Sequence, residues 1–480
     1  MSETRKYQIV VGLDIGTTKI AAIVGQMDER GKISILGIGK SDSNGVARGE
    51  VVNIEMTVAA IRSAVADAER QSGVRISEVF VGIAGEHISS MQNNGIHSLG
   101  QPDTEVTESH VRSMIEDMFR IAVNPGEKII HVIPQEFMID NNPVPKTPVG
   151  MCGSRLSANF HIITGRVAAA QNIKKCVERA GLVMKGLILE PLASSASVLS
   201  EEETEAGVAL VDIGGGTTDI AIFQDNVIRH TAVIPLAGNI ITEDIKAGCM
   251  VLKKQAEKLK VRFGHALPEG TSDDEIISIP GIGGRPRKEI SMKNLANIIN
   301  ARLEEIFQHV YFEIKSSGYH KKLIAGVVIT GGGSQLKHLK QFVEYHTGLS
   351  TRIGYPTEYL VKETKEDLKN PIFATGVGLI IKGYDYLREE GLLQLVSDEV
   401  EQQPIEEQPI TRRVIATLKP EAAEIELDFD NEEVESEVEA KPEMAPPTPK
   451  PRQKKWWDKL IDNTHEWFGD ERVNSDNDFK

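Results

Sequence analysis

Residues 10–25 read "VVGLDIGTTKIAAIVG", and residues 208–223 read "VALVDIGGGTTDIAIF". Each is a β-rich run, an Asp-Ile-Gly, a small-residue turn with paired Thr, and a second β-rich run. That pattern is strand, tight turn, strand, with Gly where the backbone needs unusual φ or close approach. An internal repeat outranks other signals in deciding a fold. The two Asp residues, Asp14 and Asp212, stand about 200 residues apart, so each hairpin opens its own half. The expectation is two related α/β domains. A third glycine run, "GVVITGGGSQLKHLKQFVEYH" at 326–346, predicts a buried strand, a turn at Gly331-Gly332-Gly333, and an amphipathic helix. Between 290 and 318, Leu295, Ile298, Ile299, Leu303, Ile306, Phe307 and Val310 recur at helical spacing and predict a long core-packed helix.

One glycine turn is weak evidence, since glycines punctuate loops everywhere. Two matched turns and a third Gly-rich strand–helix turn point to phosphate. Phosphate needs many convergent N–H donors, and Gly lets the backbone come close. Thr hydroxyls add donors, and Asp14 and Asp212 are suited to hold a hydrated Mg²⁺ between the turns. The third turn would lie against the nucleoside. The alternative is a pair of structural hairpins that bind nothing.

These stretches resemble the phosphate and adenosine loops of the actin–Hsp70–sugar kinase superfamily: "LDIGTTK", "VDIGGGTTD" and "ITGGGSQL". "LILEPLASSASVL" at 187–199 and "FATGVGLIIKG" at 373–383 look like its two inter-domain connections. Within it, "VFVGIAGEHI" at 79–88, "IIHVIPQEFMIDNNPVPKTPVGMCGSRL" at 129–156 and "AEKLKVRFG" at 256–264 resemble the FtsA family of bacterial division proteins. The resemblance runs from residue 8 to about 385.

The resemblance implies an α/β, two-domain actin-like fold with an FtsA-type subdomain inserted in the first half. The implied limits are 1–85 with 163–200 for subdomain 1A, 86–162 for the insert, 201–237 with 303–391 for subdomain 2A, and 238–302 for subdomain 2B. Within the insert, Thr107 suits the N-cap of a helix over "TESHVRSMIEDMFRIAV". Carried over motif by motif, ATP would be held by Asp14, Gly16, Thr17, Thr18 and Lys19 of the first loop. The second loop would add Asp212, Gly214, Gly215, Gly216, Thr217 and Thr218. Gly331, Gly332, Gly333 and Ser334 would line the adenine side, with Glu257 and Lys258 near ribose and base. For Lys19 the alternative is a solvated strand-end lysine; for Glu257 and Lys258 it is a surface helix. Glu190 is the catalytic candidate, a carboxylate that would orient water, or else one that caps a turn. The family implies weak ATPase activity or none.

The implied function is an adaptor that polymerises with ATP and links the tubulin-like FtsZ ring to the membrane. Partners would be the FtsZ C-terminal peptide at Arg302, further copies of the chain, and other division proteins through 86–162. Arg302 could instead simply pair with Glu305 at i+3. Competing readings are an actin-like pilus-assembly protein of PilM type, a small-molecule kinase and an Hsp70-like chaperone. No motif for a kinase's second substrate stands out.

Composition narrows the field. Of a net charge of −16, residues 398–443 supply sixteen Asp/Glu against four Lys/Arg, which is −12 and leaves −4 elsewhere. The body is thus near neutral, with no basic patch for nucleic acid. Cys152, Cys176 and Cys249 form no CxxC pair and read as buried or free thiols of a reducing cytosol. The N-terminus shows no signal-peptide core and no run of about 20 apolar residues spans a bilayer. The globular pattern ends near 392, and the acidic, Pro-containing stretch 392–450 reads as a disordered linker. Every tryptophan of the chain then falls in 451–468, "PRQKKWWDKLIDNTHEWF". At ~100° per residue, Trp456, Trp457, Leu460, Ile461, Trp467 and Phe468 share one arc of a helix. Lys454, Asp458, Lys459, Asp462, His465 and Glu466 share the other. The expectation is an amphipathic helix on anionic lipid, placing the protein on the cytoplasmic face of the membrane. Docking of that helix on the body or on a partner is the alternative.

Overall fold

The computed structural model describes residues 6–396, except 145–146, 273, 282–285 and 363. The expected linker from 397 on, and the whole segment 451–468, lie outside the described residues.

The first repeat forms the predicted hairpin: β1 (Lys6–Ile15) and β2 (Lys19–Asp28), joined by the turn that holds Gly16 and Thr17, with β3 (Ile33–Asp42) following. Most of β1 and β2 is buried on both faces, as continuous Val/Ile/Ala runs require. A short ribbon of β4 (Val46–Ala47) and β5 (Glu50–Val51) leads into α1 (Ile54–Ser72). Asn53 caps α1 by accepting the Met56 N–H at 3.0 Å, and Gly73 ends it at φ 69. β6 (Glu78–Ile83) returns to the sheet.

The chain then leaves for a separate sheet. β7 (Ser89–Ser98), α2 (Glu108–Met118), β8 (Glu127–Ile139), β9 (Asn142–Val144) and β10 (Arg155–Arg166) pack on their own core. The strand order is β7-β10-β8-β9, all antiparallel. Thr107 stands at the N-cap of α2; its N–H donates to His110 Nδ1 at 3.3 Å. α3 (Val167–Arg179) and β11 (Val183–Leu189) bring the chain back beside β6.

After α4 (Glu190–Val198) and α5 (Glu201–Ala206) the second half repeats the plan. β12 (Val208–Ile213), β13 (Thr218–Gln224) and β14 (Val227–Ile234) form a meander. α6 (Gly238–Gly248), α7 (Lys253–Phe263), the ribbon of β15 (Ile276–Ile279) and β16 (Lys288–Ser291), and the long α8 (Met292–Ser316) follow. All but Ile298 of the seven apolar positions expected on α8 are buried; Ile298 is half-buried against Gly248. β17 (Gly326–Thr330), α9 (Leu339–Thr347) and β18 (Thr351–Ile353) complete the sheet. The two large sheets, β3-β2-β1-β6-β11 and β14-β13-β12-β17-β18, share one design: a three-strand antiparallel meander, then two parallel strands. The repeat seen in two hairpins therefore extends to five strands of each sheet.

α10 (Ala374–Glu389) crosses from the second half to the first and packs on β1, β2 and α4. At its crossing with α4, a Cβ on Gly378 would stand 1.8 Å from the Ala193 carbonyl oxygen, so glycine there sets how closely the two connections approach. The ordered fold also runs past the expected limit of 392. β19 (Leu395–Val396) pairs antiparallel with Tyr7 and Lys6, because the outer end of β1 still offers free backbone groups.

The insert also leans on the second half. Ser90 Oγ donates to the Thr231 carbonyl at 3.3 Å, His161 Nε2 lies 3.1 Å from Thr231 Oγ1, and Glu136 pairs with the buried Arg229 at 3.1 Å. Burial, helped by His230, holds the His161 pKa down to about 4. Between that value and the ordinary 6.5, the unfolded chain binds a proton that the folded one refuses. Stability from this group is therefore present above pH 6.5 and lost as pH falls toward 4, by about 3 kcal/mol at most. Thermal unfolding between pH 7 and 4.5 should show a shallower acid loss in His161→Gln than in the parent; equal slopes contradict this.

Candidate nucleotide cleft

The turns of the two hairpins face each other. A Cβ on Gly215 would lie 1.8 Å from Thr18 Oγ1, and one on Gly216 would lie 2.4 Å from Thr17 Oγ1. A larger residue at Gly215 or Gly216 would push the two turns apart. Thr17 Oγ1 also accepts the Gly49 N–H at 3.1 Å. The second turn is closed by Gly214 N–H donating to the Thr217 carbonyl at 2.9 Å. It is seated on the start of α6, where the N–H groups of Gly238 and Asn239 donate to Gly214 and Gly215.

Acids converge beneath these turns. Asp14 and Asp212 are 7% and 8% exposed. Asp212 Oδ2 accepts from Ser194 of α4 at 2.6 Å and from Thr375 of α10 at 3.4 Å, so both connections hold one carboxylate. Lys19 is not a solvated strand end: its ammonium lies 3.5 Å from Asp14, donates to the Ile372 carbonyl at 2.6 Å, and sits 4.8 Å from the Phe373 ring centre. The side chain of Glu190, the first residue of α4, packs over Gly82 of β6. Burial pushes its carboxyl well up, and Asp14, Asp219 and Asp212 add to the push while Lys19 opposes it.

Asp219 belongs to this cluster although sequence reasoning passed over it. It stands directly opposite Asp212 across the second hairpin, where the first hairpin has Ala21 opposite Asp14. Burial and then Asp212 push it up to about 8, and Thr217 Oγ1 donates to it at 3.0 Å. Its second oxygen is buried without a partner. The signal was present: alternation of side chains puts paired residues of a hairpin on one face, and "DIGGGTTD" carries an acid at both ends.

The third turn closes on the same carboxylate. Gly331 sits at φ 80, and a Cβ there would be 2.2 Å from Asp212 Oδ1. Gly333 packs on Ile213, while Gly332 has only Ile372 as a distant neighbour. Ser334 Oγ donates to the Gly331 carbonyl and Thr218 Oγ1 to the Leu236 carbonyl, each at 2.7 Å. On α7, Lys258 is exposed. The lysine that reaches the second turn's seat is Lys260, whose ammonium donates to the Gly238 carbonyl, Thr242 Oγ1 and Glu257 Oε2, each at 2.8 Å. Glu257 and Lys260 share a face because they are three residues apart; Lys258 turns away. Arg302 on α8 grips Asp244 of α6 with two bonds and also pairs with Glu305. Trp456, Trp457, Leu460, Ile461, Trp467 and Phe468 lie outside the described residues.

This donor set fits a phosphate chain with a divalent cation. The glycine cradle leaves room only for thin groups, and the buried acids, one with an orphaned oxygen, want positive charge. Among the described residues no three acidic, His or Cys side chains converge to chelate a bare ion. Asp14 and Asp212, one from each hairpin, are carboxylates of the kind that hold a hydrated Mg²⁺, an ion that gives up its waters reluctantly.

Comparison with known proteins agrees with this architecture. The family model "Cell division protein FtsA" matches residues 209–378, and "SHS2 domain inserted in FTSA" matches 85–164. The chain is 42% identical to the cell division protein FtsA of Pseudomonas aeruginosa over 383 residues, 80% of this chain and 91% of that one. It is 40% identical to that of Neisseria meningitidis, over 79% of this chain and 91% of that one. Among solved structures, the PilM–PilN type IV pilus biogenesis complex aligns with a TM-score of 0.55 at 16% identity, covering 78% of this chain and 98% of that chain. That likeness shows the fold alone. An actin-like fold, an SHS2 insert where the first half departs from its repeat, and identity sustained across nine-tenths of its relatives lead to one conclusion: this chain belongs to the FtsA family of cell division proteins.

Proposed function

We propose that the chain binds Mg·ATP between the turns at 14–19 and 212–218, and that the nucleotide sets the relation of the two halves and thereby assembly into filaments. The observation that carries this is the abutment of two glycine turns over a shared, electron-rich acid cluster. Backbone N–H groups of 16–18 and 214–217 would meet the phosphates, Asp14 and Asp212 the hydrated cation, and Gly331–Gly333 with Glu257 and Lys260 the nucleoside side. The metal would neutralise phosphate charge and polarise the terminal phosphoryl group. Glu190 would be the group that orients water; burial first, then Asp14, Asp219 and Asp212, push its carboxyl up, and Lys19 opposes them. The family resemblance implies a nucleotide that is held rather than one rapidly hydrolysed. Asp212→Ala combined with Gly215→Val should abolish binding of fluorescent ATP. Wild-type affinity in that double variant would place the nucleotide elsewhere.

The subdomain limits given by the resemblance complete the reading. Residues 238–302 with α8 would receive the FtsZ C-terminal peptide, an acidic side chain of which would take Glu305's place on Arg302. Arg302→Glu should lose peptide binding at least tenfold in fluorescence anisotropy; an unchanged isotherm removes Arg302 from the site. The insert would contact the next copy, since one repeated heterologous contact gives an open filament, and would present a surface to other division proteins.

Residues 451–468 would tether the filament to anionic lipid at the division site. No described helix is long and apolar enough to cross a membrane; the proposed contact is a peripheral one. A linker of ~55 residues reaches roughly 40 Å as a flexible coil, and a filament adds many weak anchors together. Replacing Trp457, Leu460 and Phe468 with Glu should remove co-sedimentation with anionic vesicles. Full retention of lipid binding would refute the tether.

A further inference from the structure

The stretch "HVIPQE" at 131–136 has no role in the site described above, yet its geometry is unusual. It lies on β8 between two irregularities of the β8–β10 pairing: Ile130 and Gln135 have no register partner on β10. Bulges re-aim side chains, and here they turn one edge of the insert toward the cleft. His131 Nε2 accepts the Leu189 N–H at 3.1 Å, at the residue immediately before Glu190. An accepting ring nitrogen carries no proton, and burial, with Lys382 of α10 nearby, holds the His131 pKa down to about 4. Two residues on, Ile133 packs against the core patch formed by Val198, Leu210, Ile228 and Ala374. Gln135 Nε2 donates to the Ile228 carbonyl of β14, and Glu136 pairs with Arg229. Val132 and Phe137 face the other way, into the insert's own core.

One short strand therefore touches the start of the first connection, the neighbourhood of the second, and the edge of the second sheet. We propose that His131–Glu136 couples the insert to the nucleotide cleft, with His131 a positioning residue that fixes the backbone entering Glu190. A rotation of one half against the other changes the distance between Leu189 and Ile228, and this strand holds both. The insert must then shift its seat or lose one of the two hydrogen bonds. The proposal rests on the nucleotide site proposed above.

Hydrogen exchange of the full chain, with and without Mg·ATP, tests it. In the wild type, Mg·ATP should slow exchange several-fold in the turns at 14–19 and 212–218 and change it in 129–137 and 227–234. In His131→Ala the turns should still respond while 129–137 does not, and His131→Gln, whose amide oxygen replaces the acceptor, should restore the response. Gln135→Ala, which keeps His131 and cuts the far end, should likewise uncouple 129–137 from the turns. If the turns respond but 129–137 is silent in the wild type, or if His131→Ala and Gln135→Ala pass the response on unchanged, the coupling is overturned while the nucleotide site stands. If the turns themselves do not respond, both fail.

Discussion

A buried carboxylate, that of Asp212, is the point on which the rest of the molecule converges. A charge taken out of water must be compensated or given up. Here Ser194 and Thr375 supply hydrogen bonds, one from each helix that connects the halves. Gly331 leaves the other oxygen no more space than a missing Cβ allows. Asp219 and Glu190 crowd the same region and are pushed toward the protonated form. The hairpin, both connections and the third glycine turn are thus fixed relative to one group. The crossing of α4 and α10 at Ala193 and Gly378 must be tight for this to hold, since Ser194 and Thr375 have to reach the same oxygen.

The crowding of buried acids accounts for other features of the cluster. Lys19 stands over Asp14 but gives part of its hydrogen bonding to the Ile372 carbonyl. Carboxyls that cannot all ionise together share protons instead. A bound divalent ion and a phosphate chain would exchange those protons for a fixed charge.

Much of this was legible in the residues. The doubled Asp-Ile-Gly with paired Thr gave both hairpins, with Asp14 and Asp212 near the end of the first strand of each. The long helix at 292–316 followed from its apolar spacing, and the strand and turn at 326–333 from a buried run ended by glycines. Other features were not legible because they depend on contacts between distant segments. Nothing local tells that Ser334 and Thr218 spend their hydroxyls on backbone carbonyls, or that Arg302 is gripped by Asp244 from another helix. That Lys260 rather than Lys258 shares a face with Glu257 is a matter of helical phase, three residues against one. Asp219 was visible but looked like an ordinary strand residue. The insert's lean on β14 left no pattern beyond alternate residues in "HVIPQE", whose two bulges do not show in a sequence.

The central claim is that a nucleotide lies between the two repeated hairpins with its base against the third glycine turn. Photolabelling with an azido-adenine analogue of ATP in the presence of Mg²⁺, followed by mass spectrometry of the peptides, addresses this directly. The account requires the label within 331–336 or on the 253–263 helix, and its suppression by excess ATP. Competable labelling confined to residues outside both stretches would contradict it.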